Sequence, residues 1–84
     1  MDRMEKGRVV RSLAGRDQNR LLAVMGEADG LYLLCDGKER PLSRPKRKNP
    51  RHLLPTADHL TEAQMSTNRA LRKALRLFAE TSLV

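Results

Sequence analysis

The sequence predicts a mainly β fold, a small barrel of short strands followed by one C-terminal α-helix. Three observations carry that expectation. Apolar, strand-forming runs (VV, LLAVM, LYLLC) alternate with turn-forming residues through the first half of the chain. The run from Leu21 to Met25 is too continuous for a strand with one wet face, and suits a strand that twists through a barrel core. Beyond residue 66 the period changes. Leu71, Ala74, Leu75 and Phe78 recur at i, i+3, i+4 and i+7, the stripe of one helix face, while Arg69, Arg72, Lys73 and Arg76 take the same spacing on the opposite face.

In chain order, residues 1–5 carry no pattern and are expected to be a flexible terminus. A first strand is expected from Arg8 to Leu13 and a second from Arg20 to Gly26, joined by the polar turn AGRDQN. Gly15 is the pivot of that turn, because only a residue without Cβ reaches positive φ freely. Ala28, Asp29 and Gly30 supply the next turn, and Leu31 to Cys35 a third strand. Asp36-Gly37 then reads as a two-residue type I′ turn, which predicts a fourth strand from Lys38 to Leu42. Pro41 and Pro45 lack backbone donors and confine it to an edge. Arg51 to Thr56 is expected to return as a fifth strand, with His52, Leu53 and Leu54 closing the barrel, so that no edge is left open. The domain so defined spans residues 6–56, with a basic arm over residues 43–51. Residues 57–65 read as a linker. A helix is expected over residues 66–80, with Ser66 or Thr67 as the N-cap whose hydroxyl accepts from a first-turn amide.

Composition narrows the function classes. The 84 residues carry 17 Lys and Arg against 10 Asp and Glu, a net charge of +7, which favours a polyanionic partner. No apolar run approaches the roughly 18 residues of a membrane span, and MDRMEKG has no apolar signal core, so the chain is expected in the cytosol and not in a membrane. Cys35 is the single cysteine, which excludes an intrachain disulfide and a multi-cysteine zinc site. His52 and His59 have no Cys or carboxylate at ligand spacing, so neither a metal nor another cofactor is expected. Tyr32 and Phe78 are the only aromatics, too few for a platform that reads single strands by stacking. Nothing pairs a nucleophile with a base, and the chain is not expected to be an enzyme.

The densest charge lies from Arg40 to Arg51, RPLSRPKRKNPR, with six cations, three prolines and no acid. Its mutual repulsion is relieved when phosphates take the place of counterions. The order VVRSLAGRDQNRLLAV, DGLYLLCDGKERPLSRPKRKNPRHL resembles the KOW motif, and the stretch from Lys6 to Leu54 is similar to small bacterial KOW proteins related to those of the archaeal and eukaryotic large ribosomal subunit. The resemblance implies an SH3-like barrel that binds RNA, commonly ribosomal RNA. Gln18 and Asn19 stand where such proteins are expected to carry lysines.

On this reading the RNA contacts are Gly15, Arg16 and Arg20 at the loop and Arg44, Lys46, Arg47, Lys48 and Arg51 on the arm. Arg16 leads the loop set, because a planar guanidinium grips a phosphate with two donors or stacks on a base. Arg69, Arg72, Lys73 and Arg76 are a secondary contact or a solvated outer face. The expected partner is structured RNA, ribosomal RNA on the large subunit or its assembly intermediate, bound by a protein that is a monomer when free. Two alternatives are a protein-interaction module docking on a translation or transcription factor, and a membrane-surface peptide built on the terminal helix.

Overall fold

The computed structural model describes residues 3–81. Five strands, β1 (Arg8–Ser12), β2 (Leu21–Ala28), β3 (Leu31–Cys35), β4 (Lys46–Lys48) and β5 (Leu53–His59), form one antiparallel sheet in the order β4-β3-β2-β1-β5. One helix, α1 (Asn68–Thr81), follows. This is the mainly β, barrel-like class with a C-terminal helix that the sequence predicts. The two edge strands, β4 and β5, are joined by Asn49 and a 3₁₀ turn, Pro50–His52.

Alternation along the strands sends side chains to two different cores. Val10, Leu22, Val24, Tyr32, Leu34 and Leu53 gather with Met4 inside the curved sheet. Val9, Ala23 and Cys35 point outward, where Leu60, Met65 and the α1 residues Leu71, Ala74 and Leu75 cover them. LLAVM is continuous because both of its faces are covered, the inner by the sheet's own curvature and the outer by α1. The apolar stripe of the helix is therefore core, and Arg69, Arg72, Lys73 and Arg76 are left exposed.

Several expected boundaries shift. The Asp29-Gly30 pair makes the tight hairpin, with both residues at positive φ (53° and 79°) between the paired Ala28 and Leu31. Asp36-Gly37 does not, and the strand expected from Lys38 to Leu42 is absent. The Asp36 carboxylate accepts from the amides of Lys38 and Arg40, at 2.8 Å each, and curls the chain into a loop. Gly37 is pressed on the start of α1, where a Cβ would lie 2.3 Å from the Asn68 carbonyl oxygen. The Leu42 amide donates to Asn68 Oδ1 at 2.8 Å, which fixes the loop to the helix. The fourth strand comes later, inside the arm, as Lys46–Lys48 paired with Tyr32–Leu34.

Residues 57–65 are not a free linker. β5 runs on to His59, a 3₁₀ turn occupies Ala63–Met65, and Leu60 and Met65 are buried under α1. His52 is exposed rather than closing the barrel, although its carbonyl accepts from the Leu13 amide at 2.8 Å. Of the terminus expected to be loose, residues 1–2 lie outside the described residues, and the rest is anchored. Met4 is buried with its amide donating to the Tyr32 hydroxyl at 3.0 Å, and Arg3 pairs with Glu27. Thr67 caps the helix by accepting from the Ala70 amide at 3.0 Å, whereas the Ser66 hydroxyl donates back to the Ala63 carbonyl.

Candidate nucleic-acid interface

The loop from Leu13 to Arg20 is closed at its neck by two backbone bonds, Ser12 N–H to the Arg20 carbonyl at 3.0 Å and Asn19 N–H to the Ser12 carbonyl at 2.8 Å. Gly15 takes φ 79° at its head and Asn19 takes φ 70° at its exit. Between them the chain turns Asp17 inward until its side chain is 1% exposed. A buried carboxylate needs countercharge. Arg40 supplies it with Nη2 3.2 Å from Oδ2, and the Lys48 ammonium stands 4.0 Å from the same oxygen. Lys48 also donates to the Ala14 carbonyl at 2.7 Å, an oxygen that accepts from the Ser12 hydroxyl as well. Asp17 Oδ1 and Arg40 Nε have no hydrogen-bond partner among the described residues. One ion cluster thus ties the Gly15 loop, the loop after β3 and edge strand β4 together.

That cluster divides the expected RNA-contact residues. Lys48 has a side chain only 9% exposed and faces inward, so it is not presented to a partner. Arg20 is half-exposed and paired with Glu39 at 2.8 Å. Arg16, Arg44, Lys46, Arg47 and Arg51 are exposed, and among the described residues none of them has a carboxylate partner. Arg16 shares one cleft with Arg40 and Glu39, and Arg44 shares the next with the same two residues, so the loop and the arm meet around Arg40. Lys46 and Arg47 stand on the two faces of β4, opposite Leu34 and Leu33. The Arg51 amide is held by Asn49 Oδ1 at 3.0 Å, which sets the turn that displays its side chain. Arg69, Arg72, Lys73 and Arg76 together line one cleft on α1.

Among the described residues, two ionisable groups outside this surface are displaced from their ordinary range. Hydrogen bonding from His59, helped by Glu5's own backbone and by Arg8, holds the Glu5 carboxyl down at about 2. The contact fastens the N-terminal segment to the end of β5. Burial, with the nearby Asp36 charge, pushes the Cys35 thiol up to about 11, and it donates to the Pro41 carbonyl. A thiol so placed stays protonated at neutral pH and is a poor nucleophile. Among the described residues no three His, Cys, Asp or Glu side chains cluster as metal ligands would, and no helix is long and apolar enough to cross a membrane.

Sequence reasoning missed Asp17 and Arg40. Asp17 sits in the polar run RDQN, where nothing marks it as buried, and Arg40 was one cation among six. No protein-family model matches this chain, and no curated protein matches it.

Proposed function

We propose that this protein binds structured RNA, as the KOW resemblance implies, with ribosomal RNA of the large subunit or of its assembly intermediate as the target. It acts as a binding protein rather than as an enzyme. The observation that carries the reading is the surface of Arg16, Arg44, Lys46, Arg47 and Arg51, cations without carboxylate partners among the described residues, on a loop and an arm tied together by a buried ion cluster. Such a surface binds phosphates by releasing counterions and recognises the shape of a folded backbone more than its sequence.

The test is binding of the full chain to a structured ribosomal RNA fragment in moderate salt. Reversing Arg44, Lys46 and Arg47 to Glu should abolish binding while the variant keeps its fold, because none of the three is buried. Lys48 is excluded from the reversal, since its loss would disturb the loop itself. Undiminished binding by the triple variant would refute the assignment of this surface.

A protein-interaction reading has one observation in its favour. Leu13, just past the end of β1, and Leu54 on β5 are 44% and 50% exposed, and Leu77 on α1 is 53% exposed. Three leucines on separate elements make less than the contiguous patch that marks a protein interface, so the cationic surface decides.

A further inference from the structure

A groove of about 440 Å³ runs between the outer face of the sheet and α1, beside the surface described above. Its floor is apolar, formed by Leu21 and the buried Leu75, and its rim carries Arg11, Arg20, Lys38 and Arg72. The volume falls within the roughly 300–1,000 Å³ of ordinary small-ligand sites. One carboxylate, Asp36, reaches the groove, and its Oδ1 is already turned to the amides of Lys38 and Arg40. Arg11 donates to the Asn19 carbonyl and Arg20 pairs with Glu39, whereas Lys38 and Arg72 have no carboxylate partner among the described residues.

We propose that this groove takes one unstacked nucleotide of the bound RNA, its base on the Leu21 and Leu75 floor and its phosphate between Lys38 and Arg72. The inference rests on the RNA-binding reading and adds a site to it. A nucleotide fits the chemistry because it joins a flat, weakly polar base to an anion, the same pairing of apolar floor and cationic rim. Arginine at the rim adds a planar group on which a base can stack. The groove also bridges the two basic regions, since Arg20 belongs to the loop and Arg72 to the helix stripe. An RNA lying across both would pass over it.

The experiment measures binding of the full chain to two RNA hairpins that differ only by a single bulged adenosine. The expected result is about tenfold tighter binding of the bulged hairpin, in line with the burial of one base face against an apolar floor. Lys38→Glu with Arg72→Glu should erase that ratio. Arg69→Glu with Arg76→Glu, an equal change of charge on the same helix outside the groove, should weaken both hairpins together and keep the ratio. Equal affinity of the native protein for the two hairpins overturns the proposal, as does a ratio that survives in the Lys38 and Arg72 variant or disappears in the control. Equal binding leaves RNA recognition standing and gives the groove to another occupant, such as an acidic peptide. Binding of neither hairpin removes the RNA-binding reading and this site with it.

Discussion

Lys46 and Lys48 stand two residues apart on one face of β4, yet they belong to different regions of the molecule. Lys48 reaches under the Gly15 loop to the Ala14 carbonyl and the buried Asp17, while Lys46 on the edge strand is exposed and has no carboxylate partner among the described residues. The difference lies in what each meets across the sheet's end rather than in the residue type. Charge counted along the sequence is therefore not charge offered to a partner. The buried region fixes the loop and the arm relative to each other, and the exposed one uses that fixed geometry.

The comparison breaks most readily at Asp17. Asp17→Ala leaves Arg40 and Lys48 without their shared carboxylate, and should cost about 3–5 kcal/mol of stability in urea denaturation. Lys46→Ala should change stability by no more than about 0.5 kcal/mol. Equal effects at the two positions would remove the distinction between a structural and a presented charge. The two glycines of the flanking loops sharpen it further. Gly37→Ala drives a Cβ into the Asn68 carbonyl in addition to its unfavourable φ of 81°, and should cost about 2–4 kcal/mol. Gly15→Ala meets only the Lys48 ammonium, at an ordinary contact distance of 3.6 Å, and should cost about 1 kcal/mol by thermal melting, for its φ of 79°.

A pH-dependent effect is expected at Cys35, under α1 and away from the cationic surface. Its thiol is raised from an ordinary 9.0 to about 11, so the folded state holds the proton more tightly than the unfolded chain. That contribution is fully present below about 9 and is lost as pH rises through about 11. Comparing wild type with Cys35→Ala across this window isolates the thiol from lysine and tyrosine titration. A native protein whose stability follows that of the variant at every pH would contradict the burial of this thiol.

The strands that alternate and the helix that repeats were legible because their periods follow from burial on one face or two. β3 falls at Leu31–Cys35 as expected, and the stripe of Leu71, Ala74, Leu75 and Phe78 packs on the sheet. The Asp-Gly dipeptide misled because it has two uses. At Asp29-Gly30 it closes a hairpin, and at Asp36-Gly37 the carboxylate caps nearby amides while the glycine admits a helix backbone. Only a tertiary neighbour distinguishes the two. Leu60 and Met65 were similarly unreadable, as single apolar residues in a polar segment without period. At the candidate site the excess of cations was visible. Which of them face inward depended on Asp17, whose burial has no local signature.

The most direct measurement is the salt dependence of RNA affinity for the native protein and for a variant with Arg44, Lys46 and Arg47 each changed to Ala. If the five exposed cations engage one phosphate each, log K should fall with log salt at a slope of about −3.5 to −4.5. The variant retains Arg16 and Arg51 and should give about −1.4 to −1.8. A native slope near zero, or one that the three substitutions leave unchanged, would contradict a surface built from these cations.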